Sequence, residues 1–157
     1  MEDSDKPKTP EAVDRIVCAE IPDPQRNPLL YEIVTKLNLH GPCGNVNRNC
    51  PCMVGEGLDK KCSKNFPKHF TDRTVLSEIN YPQYRRWSLT SGGVHRINQG
   101  PTYFNADNSW VVPYNPLLSL RYKAHINVEV VHSAKAVKYL YKYFTKRQAD
   151  YNANESR

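Results

Sequence analysis

The chain has 157 residues, of which 39% are hydrophobic, and this is enough for one domain with a modest core. No apolar run approaches the roughly 20 residues of a membrane-spanning helix, so no membrane partner is expected. The acidic start of the chain lacks the pattern of a secretory signal. Lys and Arg number 22 against 16 Asp and Glu, and the net charge of +6 favours polyanions, above all nucleic acid.

The cysteines indicate metal binding more than disulfide formation. Their number, five, is odd, and four of the five fall between positions 43 and 62. Without a secretory signal, this usage is typical of a reducing intracellular compartment, where clustered thiols bind metals.

The first part of the chain divides into a leader and one helix. Residues 1–12 are charged, contain two prolines and are predicted to be a flexible leader. Residues 13–39 form a segment of strand or helix, in which Pro28 suits the first turn of a helix with apolar residues at helical spacing. This helix should run to about Asn38 and place His40 just beyond its end.

Residues 40–70 are predicted to be a loop-rich zinc module. The segment is rich in Gly and Pro and has little apolar periodicity, so it needs a metal to order it. The spacing His40-x2-Cys43-x8-Cys52-x9-Cys62 offers the four ligands of a closed structural zinc site, with Cys50 as a spare. The alternative is a set of free thiols in a loop. No open position with an acid–base partner is evident, which argues against a catalytic zinc.

Residues 71–146 are predicted to be rich in β-structure and to end in a helix. A Ser-Gly-Gly turn signal predicts that 84–89 forms a hairpin with 94–97. A second turn is expected over 105–109, followed by a short strand at 110–112.

The clearest predicted strand covers residues 125–131, because its side chains alternate in polarity. One side is apolar and the other is polar, the latter formed by His125, Asn127 and Glu129. This polar side offers possible support for a metal, but it also suits a solvated strand face. His-Ile-Asn is not the His-x-His pattern of a two-histidine metal clamp.

The predicted terminal helix, residues 133–146, carries Tyr139 and Tyr143 one turn apart, opposite an apolar stripe. A tyrosine hydroxyl can act as a nucleophile and form a covalent intermediate. The flanking lysines Lys142 and Lys146 would favour a phenolate and attract a phosphate. The alternative is an ordinary amphipathic helix with exposed tyrosines. Residues 147–157 are polar and are predicted to be a frayed tail.

A further set of residues combines positive charge with aromatic rings, which is how proteins hold single strands of nucleic acid. Such residues are common on any basic domain. The set comprises Lys64, Lys68, Arg85, Arg86, Trp87, Arg121 and Tyr122.

Several blocks, taken in order along nearly the whole chain, resemble the Rep/helicase protein of Helitron rolling-circle transposons. The blocks are Thr9-Pro-Glu11, Ile16-Val-Cys-Ala-Glu-Ile-Pro-Asp23, His40-Gly-Pro-Cys-Gly44, Pro51-Cys-Met53, Lys61-Cys-Ser-Lys-Asn-Phe-Pro-Lys68, Trp110-Val-Val-Pro-Tyr-Asn-Pro116, Ala124-His-Ile-Asn-Val-Glu-Val130 and Ala136-Val-Lys-Tyr-Leu-Tyr-Lys-Tyr143.

The resemblance implies an α+β fold, with part of an HUH-type nuclease sheet, an inserted zinc module and a tyrosine-bearing terminal helix. It implies a nuclear protein that takes part in DNA transposition. The family cuts single-stranded DNA by tyrosine attack, with Mg²⁺ or Mn²⁺ held by a His-hydrophobic-His motif. Tyr139 and Tyr143 match its two nucleophiles, with possible support from Lys142, Lys146, His125 and Glu129. The preferred zinc ligands are His40, Cys43, Cys52 and Cys62.

Two family features are missing from this sequence. In the family, the His-hydrophobic-His strand lies just upstream of the segment that matches Asp5-Lys6-Pro7. The chain also contains no Gly-x4-Gly-Lys-Ser/Thr phosphate loop for ATP. The expectation is therefore half of a nuclease site, whose partners are single-stranded DNA and the missing nuclease and helicase segments. The alternatives are a zinc-stabilised DNA-binding module without catalysis and an inactive transposon relic.

Overall fold

The computed structural model describes residues 7–77, 82–88, 93–99 and 102–130. Within these ranges the chain is α+β, with short helices and two antiparallel two-stranded sheets. The elements are α1 (Pro10–Asp14), α2 (Pro28–Leu37), β1 (Met53–Val54), β2 (Lys61–Cys62), β3 (Val94–Gln99), β4 (Thr102–Asp107) and α3 (Pro116–Tyr122). No helix among the described residues is long and apolar enough to cross a membrane.

The predicted terminal helix, residues 133–146, lies outside the described residues, as does the predicted tail. The same holds for the four terminal-helix residues of the predicted nuclease site, Tyr139, Tyr143, Lys142 and Lys146.

Side chains cap helices α1 and α3, whereas Asn27, the residue before α2, makes no side-chain capping hydrogen bond. The Thr9 hydroxyl accepts a hydrogen bond from the Ala12 backbone N–H at the start of α1, and Asn115 caps α3 through its side chain in the same way. Helix α2 begins at Pro28, as predicted, and ends within a residue of the predicted end. Helix α1 begins at Pro10 and so overlaps the last residues of the predicted leader.

The hairpin differs from the predicted one. Strand β3 pairs with β4, from Val94 opposite Asp107 to Gln99 opposite Thr102, and not with residues 84–89. The stretch 102–107 was not expected to be a strand because its Asn and Asp suggested a turn. Asn105 lies on the exposed side of β4 while Ala106 is buried, so the polar residue costs the strand nothing. Residues 108–110 form a 3-10 turn where a strand was expected to begin.

Residues 83 and 86 form isolated bridges with an earlier segment, not a hairpin. Gln83 bonds to Val75 and Arg86 to Thr71 through their backbones. This arrangement places Tyr84 in the core, against Val13 and neighbouring apolar residues.

A buried guanidinium joins three segments of the chain. Arg86 is 4% exposed, and its Nη1 donates to the carbonyl oxygens of Ala19, Asn108 and Val111 at 3.3, 2.5 and 2.8 Å. Burial lowers the pKa of Arg86 to about 10, so the group remains charged at neutral pH. The buried Asn108 side chain extends this network by accepting from the Ile21 backbone N–H at 2.8 Å.

The predicted alternation of side chains along residues 125–131 is present in the described part, residues 125–130. These residues nevertheless belong to neither of the two sheets. Val128 and Val130 pack on the core, whereas His125, Asn127 and Glu129 are on the exposed side. Isolated hydrogen bonds connect this segment to other parts of the chain. In one of them, the Val128 backbone N–H donates to the Pro113 carbonyl at 3.0 Å. The side-chain pattern is therefore correct although no ladder forms.

Replacing Arg86 with Met should lower the free energy of unfolding by about 2–4 kcal/mol, because three buried carbonyl groups lose their donor. Chemical denaturation measures this change. Arg26→Met is the matched control, since the Arg26 side chain is 85% exposed and should tolerate the change. Equal stabilities of the two variants would contradict the structural role of Arg86.

Candidate metal centre

The predicted zinc ligands are brought together by the fold. One ligand atom from each of His40, Cys43, Cys52 and Cys62 lies within 4.8 Å of all the others. All five cysteines of the chain are free thiols. The four side chains therefore lie close enough to bind a metal ion such as zinc.

Short pairing between β1 and β2 positions two of the ligands. Met53 on β1 is opposite Cys62 on β2, and the Ser63 backbone N–H donates to the Cys52 carbonyl at 2.8 Å. Gly44, which follows Cys43, adopts a φ of +67°, a conformation that favours glycine. The Gly44 N–H lies 3.2 Å from the Met53 sulfur, which ties the Cys43 turn to the strand pair.

His40 follows α2 and is held by aromatic rings. Its imidazole stacks on Phe66 with ring centroids 4.2 Å apart, and on Trp110 at 6.5 Å, with interplanar angles of 12° and 8°. The His40 backbone N–H donates to the Trp110 carbonyl at 2.8 Å. Its Nε2 lies 3.4 Å from the Cys62 sulfur. These contacts orient the ligand nitrogen toward the thiols, as groups outside the ligand set do in metal sites.

The surrounding protein disfavours the charged forms of the His40 imidazole and the Cys43 thiol. Burial, with help from Lys68 and Lys64, lowers the pKa of His40, so the imidazole is neutral and able to bind metal at neutral pH. Burial raises the pKa of the Cys43 thiol. Burial also opposes ionisation of Cys62, but N–H donors of the following loop outweigh it and lower the pKa of that thiol. Zinc binds cysteine as the thiolate, so zinc binding here would be coupled to loss of the thiol protons.

The donor set fits zinc. Zinc bonds of about 2.3 Å to sulfur and about 2.0 Å to nitrogen imply tetrahedral ligand separations of ~3.4–3.8 Å. The His40–Cys62 separation of 3.4 Å already lies in that range, and no other separation within the set exceeds 4.8 Å. Three thiols and one imidazole make a closed set, which would order residues 40–70 and leave no position for a substrate.

Cys50 lies beside this ligand set and not within it. Its sulfur is 3.4 Å from the Cys52 sulfur, yet it does not share the mutual spacing of the four ligands. This position agrees with the prediction that Cys50 is the spare thiol.

A cavity of about 710 Å³ opens next to the cysteine–histidine set. His40 and Cys52 form part of its wall, so the metal centre and the cavity share residues. Other lining residues are cationic, aromatic or polar: Lys64, Lys68, Arg86, Phe66, Tyr84, His125, Asn127 and Glu129.

His125 and Glu129 line this cavity but do not form a metal site with other described residues. The His125 Nδ1 donates to the Leu37 carbonyl at 2.6 Å, so Nδ1 carries the hydrogen. The Glu129 side chain is accessible from the cavity, yet the surrounding protein desolvates its carboxyl and raises its pKa.

The predicted basic and aromatic set divides into separate groups. Lys64, Lys68 and Arg86 line the cavity, although Arg86 has the structural role described above. Arg85 forms an ion pair with Glu20 at 3.1 Å and covers the Trp87 ring. Arg121 and Tyr122 lie on α3, apart from the cavity residues.

Sequence reasoning missed the two rings that hold His40. Phe66 and Trp110 are separated by more than forty residues, and no local pattern connects them. The only available signal was that each lies in one of the blocks on which the predicted resemblance to Helitron proteins rests. No protein-family model and no curated protein matches the sequence.

Replacing Cys62 with Ala should abolish stoichiometric zinc binding, because the remaining three ligands no longer close a tetrahedral site. Metal analysis of reduced protein measures zinc per chain, and amide hydrogen exchange over residues 40–70 measures the loss of order. Cys18→Ala is the control, since Cys18 lies in a different apolar cluster. A reduced wild-type protein without zinc would contradict the site.

Proposed function

We propose that this chain is a zinc-organised, single-stranded-DNA-binding part of a rolling-circle Rep nuclease similar to that of Helitron transposons. The observation that carries the proposal is the cavity beside the cysteine–histidine set, with lysines and aromatic rings in its wall. We also propose that the chain forms part of an HUH-type nuclease sheet, because the sequence resemblance implies such a sheet.

The metal has a structural part in this function. Bound zinc would cross-link residues 40–70, a segment that buries little apolar surface of its own. His40 and Cys52 hold the metal and also line the cavity, so ordering the ligand set orders that wall.

The charge of the cavity wall favours a phosphate backbone. Lys64 and Lys68 present ammonium groups, and the surrounding protein desolvates the Glu129 carboxyl and raises its pKa. Lys68 also lies 5.0 Å from the centre of the Phe66 ring. Cations next to aromatic surfaces bind single strands without strong sequence preference.

Catalysis by the intact Rep protein is the second part of the proposal. Tyr139 and Tyr143 would attack a phosphodiester in turn and form a 5′-phosphotyrosine link, assisted by Lys142 and Lys146. Mg²⁺ or Mn²⁺ would lower the charge of the phosphate in that protein. This sequence contains no His-hydrophobic-His motif, so the nuclease metal would be held by residues outside it. Nuclear localisation also belongs to the proposal.

A non-catalytic DNA-binding module is the alternative, and the location of the cavity is compatible with it. In that case zinc and the lysines hold DNA, and the tyrosines only pack or stack. DNA binding and covalent attachment must therefore be tested separately.

The double variant Lys64→Gln and Lys68→Gln should weaken binding of a labelled single-stranded oligonucleotide. It should reduce the slope of log affinity against log salt by about 1–2, because each lost phosphate contact removes about 1. Fluorescence anisotropy at several salt concentrations measures both quantities.

The matched control for the lysine variants is Lys36→Gln, because Lys36 lies on α2 and does not line the cavity. It should leave the salt slope nearly unchanged. Binding that ignores salt, or an equal effect of Lys36→Gln, would place DNA elsewhere than in the cavity.

In a chain extended upstream by a His-hydrophobic-His segment, Mn²⁺ and a single-stranded oligonucleotide should yield a covalent protein–DNA adduct. Tyr139→Phe with Tyr143→Phe should abolish it, because phenylalanine has no hydroxyl to attack phosphorus. A denaturing gel with labelled DNA detects the adduct.

Tyr141→Phe is the control for that experiment, since Tyr141 occupies the predicted packing stripe of the same helix. An adduct that survives the double substitution would remove Tyr139 and Tyr143 as nucleophiles. Salt-dependent binding without any adduct would favour the non-catalytic module.

A further inference from the structure

A tight turn brings two thiols together at the edge of the metal centre. The Met53 backbone N–H donates to the Cys50 carbonyl at 2.9 Å, with Pro51 at the second position of the turn, where proline is favoured. The sulfurs of Cys50 and Cys52 are 3.4 Å apart. Because an S–S bond is about 2.05 Å long, the two sulfurs must approach by a little more than 1 Å to form a disulfide.

Exposure separates this pair from the other thiols of the centre. Cys43 and Cys62 are 1% and 4% exposed, whereas Cys50 and Cys52 are half-buried. A small oxidant dissolved in water therefore reaches Cys50 and Cys52 before the two buried ligands. Cys52 belongs to the ligand set and Cys50 does not, so oxidation of the pair removes one metal ligand.

We propose that Cys50 and Cys52 form a hydroperoxide-sensitive modification site, in which oxidation to a disulfide releases the zinc held by His40, Cys43, Cys52 and Cys62. The proposal rests on the zinc centre of the proposed function. It assigns Cys50 a role that a structural site with four other ligands does not require.

The chemistry balances with hydrogen peroxide as the oxidant. The Cys52 thiolate attacks a peroxide oxygen, the O–O bond breaks, and Cys52 sulfenic acid and hydroxide form. The Cys50 thiol then attacks the sulfenic sulfur, an S–S bond forms, and the hydroxyl group leaves with the thiol proton as water. The two sulfurs lose two electrons in total, and the peroxide gains them.

Oxidation would affect the cavity as well as the metal. A disulfide sulfur carries no charge and is a poor zinc ligand, so three donors remain. His40 and Cys52 line the cavity, and loss of the metal frees both side chains to move. Peroxide would therefore reduce DNA binding through the metal, and a thiol reductant with added zinc would restore it.

The test treats zinc-loaded protein with hydrogen peroxide and follows zinc release with a chromogenic chelator. In the wild type, peptide mapping should show that the peptide containing Cys50 and Cys52 loses the mass of two hydrogens as zinc appears. Reduction and added zinc should reverse both changes. Cys50→Ser should start with the same zinc content and release zinc at least several-fold more slowly.

Cys18→Ser is the matched control and should release zinc at the wild-type rate, because Cys18 lies away from the metal centre. Cys50→Ala repeats the test if the serine variant does not fold. The proposal is overturned if Cys50→Ser releases zinc as fast as the wild type. A disulfide that joins Cys43 to Cys62, or zinc missing from Cys50→Ser before peroxide is added, also overturns it.

These outcomes separate the inference from the proposed function. Wild-type protein without zinc before oxidation contradicts the metal centre itself. Zinc-loaded protein that binds DNA, but keeps its zinc when Cys50 and Cys52 are oxidised, contradicts only the redox role.

Discussion

The fold of residues 40–70 depends on bringing three thiols and one imidazole to one point. The segment has two-residue strands and few buried apolar side chains, and its buried residues include the ligands Cys43 and Cys62. Such a segment cannot offset the entropy of ordering its loops by burial alone. A metal ion bound by these four side chains would replace the missing core, because one ion would join four points of the loop and neutralise the thiolates.

The rest of the described chain supports that centre through polar and aromatic contacts. Trp110 and Phe66 fix the ring of His40, and the buried network of Arg86 and Asn108 holds the 3-10 turn that includes Trp110. A disturbance of this network would therefore reach the metal ligands through Trp110. The cavity lies where these parts meet, which explains why it combines metal-linked residues with lysines and the extended segment of Glu129.

With the proposed oxidation, the position of Cys50 would give the same loop a second chemical property. A structural zinc site with buried thiols resists oxidation, whereas a free thiol beside an accessible ligand offers a partner for a disulfide. In this chain one turn with a central proline supplies both the ligand Cys52 and that partner. Stability and redox sensitivity would then depend on the same few residues.

The sequence by itself determined which four side chains lie close enough to bind a metal, as well as helix α2 and the alternation of residues 125–130, because spacing and polarity are local properties. It did not determine the partner of β3, since Asn and Asp in β4 suggested a turn, whereas packing of Ala106, Phe104 and Ile97 in the cluster that contains Cys43 and Cys62 favours the strand. It also did not show the rings around His40, the buried contacts of Arg86 or the cavity. Each of these joins residues far apart in the chain, and packing between distant segments decides them.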